Sequence, residues 1–115
     1  MNIVKLYPED ASKKTRYNLT MSPKMQNMKS IKGSVLEVSA WCKYEDVDVK
    51  TGEVRPILSI ETPEGEVFGT NSATFISDFE AMVDMFGDGG VDALEIISGT
   101  SKAGREFITC AYAGE

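Results

Sequence analysis

The residues of this chain with chemistry to offer are flat rings and cations, set close together along strand-like segments. Trp41, Lys43 and Tyr44 stand in one segment, Arg55 and Phe68 in the two that follow, and Lys102, Arg105 and Phe107 around the last turn. Rings present π-faces on which any base can stack, and cations among them follow a phosphate backbone. Trp41, the only tryptophan, carries the sharpest form of this reading. In residues 33–45 (GSVLEVSAWCKYE), Leu36, Val38, Ala40 and Cys42 share one parity, whereas Glu37, Ser39, Trp41 and Lys43 share the other. Period two sends the two sets to opposite sides of a sheet. The apolar set reads as core, which leaves Trp41 among polar neighbours. Two readings stay open: the ring is free to receive a base, or another element covers it or a bulge changes the parity.

Catalytic chemistry finds little support. The chain has no histidine, which excludes His-based acid–base catalysis, Ser–His and Cys–His nucleophile pairs, and His-containing zinc sites. Cys42 and Cys110 stand far apart in apolar strand patterns and read as small buried hydrophobes in a reducing compartment. Asp46-x-Asp48-x-Lys50 has the start of a calcium loop but lacks the glycine at its sixth position and the glutamate at its twelfth. Residues 99–104 (GTSKAG) lack the Gly-Lys-Ser/Thr end of a phosphate loop, and no helix pattern follows. Asp84, Asp88 and Asp92 read as solubilising. No catalytic residue, metal ligand or cofactor is expected.

The net charge of −6 at first argues against a nucleic-acid partner, but the charge is unevenly placed. Residues 1–43 hold eight basic and three acidic side chains, and residues 44–115 hold four basic and fifteen acidic. Such segregation can attract phosphate on one face while another face repels it, or it can average out in three dimensions.

The length suits one domain with a modest core. Residues 1–15 are polar, contain Pro8 and read as a flexible or loosely docked arm. Residues 17–21 (YNLTM) alternate weakly as a short strand, and residues 24–29 suggest a second short strand or an extended loop. Residues 33–45 form the best strand, 54–62 return after a Gly52 turn, and 66–70 form a short third strand. The period then changes: Phe75, Ile76, Phe79, Met82, Val83 and Phe86 line one face of a helix, capped by Asn71 or Ser72 and stopped at Gly87. Residues 93–100 and 105–113 make a closing hairpin. One helix between the third and fourth of five strands is the order of an OB barrel, so the fold expected is all-β with one helix, a five-stranded OB-fold over 16–115 preceded by an N-terminal strand or arm over 1–15.

In the order and wording of these segments the chain resembles the small single-stranded DNA-binding proteins of tailed phages that replicate by protein priming. The likeness runs from Asn2-Ile3-Val4-Lys5 through Gln26-Asn27-Met28-Lys29 into residues 33–37 (GSVLE), then through residues 41–44 and 62–68 to the acidic helix. It closes on residues 98–104 (SGTSKAG) before an aromatic strand. The resemblance implies an OB-fold that coats displaced template strands without sequence preference and without catalysis, in the host cytoplasm, with single-stranded DNA and possible phage replication proteins as partners and homo-oligomers possible. It assigns DNA contact to Tyr44 and Phe68. Tyr44 falls on the core parity here, which fits that assignment only if the strand bulges. No membrane partner is expected, since no apolar run approaches the ~20 residues of a membrane span. A reading of a different class is a protein-interaction module, in which the acidic half binds a host or phage protein or mimics DNA.

Overall fold

The computed structural model describes residues 1–114; Glu115, the end of the expected 16–115 domain, lies outside the described residues. The chain begins with β1 (Asn2–Tyr7), an edge strand rather than an arm. It pairs antiparallel along β4 (Ala40–Val47), from Asn2 opposite Glu45 to Tyr7 opposite Trp41, with a register shift between Ile3 and Lys5. Pro8, which has no amide proton to donate, ends it.

The weak alternation at 17–21 belongs to a helix, α1 (Lys13–Thr20). Ser12 caps it by accepting from the Thr15 amide, satisfying an amide that has no partner inside the helix. Leu19 is the one residue of α1 that is buried. Over five residues, a helix burying a single side chain and a half-buried strand produce the same pattern, which is why the two are confused. The fold therefore has two α-helices rather than one.

β2 (Gln26–Asn27) and a 3-10 turn (Met28–Ile31) lead into β3 (Val35–Glu37). The expected strand over 33–45 is broken: β3 and β4 lie in different sheets. At the break, the Val38 amide donates to Asp92 and the Ser39 amide to Glu61. Those acceptors belong to opposite parts of the fold, and the chain turns between them.

β5 (Val54–Glu61) and β6 (Val67–Thr70) continue the meander. Helix α2 (Ala73–Phe86) follows, capped by Ser72 and stopped at Gly87 with φ 87°. The β7 (Ala93–Thr100) and β8 (Glu106–Tyr112) hairpin ends the fold. One sheet has the order β1-β4-β5-β6-β2, the other β3-β7-β8. β4–β5, β5–β6, β3–β7 and β7–β8 pair, but no closed barrel results: among the described residues no ladder joins β6 to β8. The reason is at the edge of β6, where β2 pairs in parallel, Gln26 opposite Phe68 and Asn27 opposite Gly69. That edge is taken. β8 is instead held through the start of α2, where the Ser72 hydroxyl donates to the Ile108 carbonyl at 3.0 Å and the Cys110 thiol to the Phe75 carbonyl.

The main core lies between the two sheets and α2, with Trp41, Leu58, Ile60, Phe68, Phe75, Phe79 and Ile96 among its buried members. Burying each such side chain contributes ~1.5–3 kcal/mol. A second, smaller core sits on the opposite face of the five-stranded sheet, where Leu19 of α1 covers Ala40, Cys42, Tyr44 and Val67.

Candidate nucleic-acid interface

The ring-and-cation set is divided among three places. Trp41, Lys43 and Phe68 point to the α2 side of the five-stranded sheet. Trp41 does lie opposite to Ala40 and Cys42, but its side is the main core, not solvent. It is 3% exposed; its indole N–H donates to the Asp88 carbonyl at 2.9 Å. Its ring stacks on Tyr7 at 6.4 Å between centroids and meets Phe79 edge-on at 5.1 Å. Of the two readings open for Trp41, the structure has the one in which another element, α2, covers the ring, and the uncovered reading is corrected: the strand holding it is buried on both faces. Phe68 is buried as well and, like Tyr44, only borders a groove, here with Leu36, Thr62, Glu64 and Glu66. Lys43 extends from the same face to Glu80 of α2, Nζ to carboxylate 2.8 Å.

Lys102, Arg105 and Phe107 are gathered at the β7–β8 hairpin. Both cations are exposed, and neither is ion-paired among the described residues. The Phe107 ring lies against Gly99 on the neighbouring strand; a Cβ on Gly99 would stand 2.7 Å from it. Glycine there leaves room for the ring to lie flat on the strand, half-exposed.

Tyr44 and Arg55 belong to the third place, the face of the five-stranded sheet under α1. Arg55 reaches back to its own hairpin, 3.3 Å from Asp48 and 4.0 Å from Glu53. Amide donors of Lys50 and Thr51, with the Arg55 charge adding to them, hold the Asp48 carboxyl below its usual range. Tyr44 is mostly buried, and it forms the inner wall of a groove of about 360 Å³. Its phenol is kept protonated above the ordinary tyrosine range, chiefly by burial and further by the charges of Cys42 and Asp46. Met25, Gln26, Asn27, Ile57 and Asn71 also line the groove, so amide groups stand beside a ring, a combination suited to base edges and sugar-phosphate alike. Gly69 lets Met25 lie on β6: a Cβ there would stand 2.7 Å from its sulfur.

The unpaired lysines of the first 43 residues lie on and after α1. Lys13, Lys14 and Lys24 are exposed on α1 and the turn after it, and Lys29 follows β2. None is ion-paired among the described residues. Arg16 donates to the carbonyls of Ala11 and Glu9, fixing the approach to the helix. Tyr17, one turn on from Lys13, is 50% exposed. On the other side of the sheet the lysines are neutralised: Lys5 binds Asp88 and Lys43 binds Glu80, each at 2.8 Å. A sheet thus separates the free lysines of α1 from the acids of α2, although Glu61, which accepts from Thr15 and Asn18, stays on the α1 side.

Tyr17, Lys13 and Lys14 escape the reading of residues as strands. The one signal that marks them is Ser12 as a helix cap, since half of the residues after it, Thr15, Tyr17, Asn18 and Thr20, are weak helix formers.

The family model of phage single-stranded DNA-binding proteins matches residues 9–112. The chain belongs to that family. The match spans α1, both faces of the five-stranded sheet and the β7–β8 hairpin, and it leaves β1 outside. No curated protein and no solved structure matches significantly. Membership makes single-stranded DNA the partner of the family to which these surfaces belong. Among the described residues no helix is long and apolar enough to cross a membrane.

Proposed function

We propose that this protein coats single-stranded DNA without reading its sequence, shielding replication intermediates of a phage, and that it does so with the α1 face. The observation that carries this reading is the placement of unpaired cations on one side of a sheet whose other side pairs its lysines internally. Lys13, Lys14 and Lys24 follow the phosphates, and Tyr17 offers an open ring for a base. The groove that Tyr44 backs holds the adjoining nucleotide through the flanking amides of Gln26, Asn27 and Asn71. Lys102, Arg105 and Phe107 supply a second contact at the β7–β8 hairpin. Arg55 adds charge at the rim, partly offset by its own carboxylates.

No bond is made or broken in this work, so the protein acts by binding and not by catalysis. Its strand pairs also support an opened OB-type arrangement, in which β3 and β4 together stand for one bent first strand and β2 occupies the place where the barrel would close.

The experiment is a titration of labelled oligo-dT across a range of salt, followed by anisotropy. Binding is expected at low salt, falling log-linearly as salt rises, since each phosphate contact releases counterion. Absence of binding at low salt overturns the proposal. Trp41 emission is expected to stay unchanged by oligo-dT, because the sheet stands between that ring and the proposed face.

A further inference from the structure

Between β1, β4 and α2 the main core is left open to the surface. A cavity of about 130 Å³ has Trp41, Leu58, Ile76, Phe79 and Val83 as its apolar lining. A cavity of about 150 Å³ lined by such side chains stays dry and takes one benzene-sized ring, so this one is sized for a single apolar side chain. It continues into a shallower trough along α2, with which it shares Lys43, Ile76, Glu80 and Asp84. The trough is open because the α2 residues beside it, Ala73, Ser77 and Ala81, are small.

The charges at the mouth say what kind of chain could enter. Glu80, Asp84 and Asp88 follow one another at four-residue steps. Lys5 and Lys43, opposite each other in the β1–β4 ladder, take the outer two acids. Asp84 stands exposed between them, at the lip of both cavity and trough, and has no ion-pair partner among the described residues. A third cation would find its place there, beside an opening that accepts an apolar group.

We propose that this cavity docks a segment of a partner protein that presents one aromatic or large aliphatic side chain next to lysine or arginine. The side chain fills the space against Trp41, and the neighbouring cation meets Asp84 at the lip. The site lies across the sheet from the α1 face, so a partner held here leaves the DNA surface clear, and the inference stands whether or not that surface binds DNA.

The test uses the full chain and a short synthetic peptide with one phenylalanine between Lys-Arg pairs, followed by Trp41 emission. A saturable change in emission is expected. A peptide with alanine in place of the phenylalanine, and one with glutamine in place of its cations, should each bind at least about tenfold more weakly, a difference of about 1.4 kcal/mol. Asp84→Lys, at an exposed position and checked for native circular dichroism, should weaken the phenylalanine peptide by a similar factor. Equal binding of the alanine peptide overturns the proposal, since charge alone would then explain the contact. So does an unchanged affinity of Asp84→Lys. Emission that changes with protein concentration alone would put a second copy of this chain in the cavity and overturn it as well.

Discussion

The two faces of the five-stranded sheet each carry a helix, and the helices are built for different work. α2 buries Phe75, Ile76, Phe79 and Val83, a stripe that joins the two sheets and covers Trp41. Glu80 on this helix and Asp88 in the loop after it are met by lysines from β4 and β1. α1 buries Leu19 alone. It is held by polar contacts: the Ser59 hydroxyl donates to the Leu19 carbonyl at 2.5 Å, and Asn18 and Thr15 donate to Glu61. Its cations are left without acids. A helix fastened by one leucine and a few hydrogen bonds contributes little core; what it contributes is a charged, solvent-facing surface with a ring on it. The large aromatics with the strongest apparent claim on a ligand, Trp41 and Phe68, serve the core, whereas the open Tyr17 ring and the free lysines lie where burial is least.

The sharpest way to break this comparison is Trp41→Ala. Removing a fully packed ring costs ~3–5 kcal/mol of stability, which chemical denaturation would read directly. The affinity of the remaining folded molecules for oligo-dT should be unchanged. If instead affinity falls while stability holds, the ring reaches DNA and the division between the faces is wrong.

Tyr17→Ala is the mirror image. Half-exposed rings that stack on a base contribute ~1–3 kcal/mol to binding, so oligo-dT affinity should fall by that much. Stability should move by no more than about 0.5 kcal/mol, as for other surface changes. A stability loss without an affinity loss would make α1 a structural helix like α2.

The contrast between a buried Trp41 and an open Tyr17 shows how much of the molecule the sequence made legible. Within residues 40–43 the parity separates Trp41 from Ala40 and Cys42, but it fails across the break at 38–39: Leu36 and Val38 pack in the main core with Trp41, not beside Ala40 and Cys42. Within one strand, parity says which residues share a side and nothing about what covers that side. α2, recognisable from its own 3.6-residue period, packs over Trp41 only because β4 passes between two cores. Tyr44 falls on the apolar parity and is buried there, yet it still borders a groove, since α1 is too short to cover the whole face. The hairpin cluster of Lys102, Arg105 and Phe107 was legible because a turn keeps sequence neighbours together in space. α1 was not, because one buried leucine leaves almost no periodic trace. The opening of the expected barrel was not legible either: β2 is a two-residue strand, and its parallel pairing with β6 joins segments some forty residues apart in the chain.

Charge changes on the two faces sharpen the comparison further. Lys13→Gln combined with Lys14→Gln should reduce the salt dependence of oligo-dT binding by about 0.7 in log–log slope for each phosphate no longer neutralised. Thermal unfolding should be nearly unaffected, because neither lysine is paired among the described residues. An unchanged slope would mean that these cations lie off the path of the strand.

The smallest effect belongs to Lys43→Gln. Lys43 was a candidate DNA contact by its position beside Trp41, and it is a cation of the same strength as Lys14. Its ammonium is committed to Glu80, and the pair is partly open to water, with side-chain exposures of 24% and 49%. Such pairs contribute ~0–1 kcal/mol, and Glu80 left alone can be hydrated, so unfolding should shift little. The informative quantity is the salt slope. A lysine already neutralised by an acid, on the face turned from the strand, displaces no counterion from DNA, and its removal should leave the slope as it was. A fall equal to that for one α1 lysine would show that the strand reaches both faces, and the sheet would no longer divide binding from support.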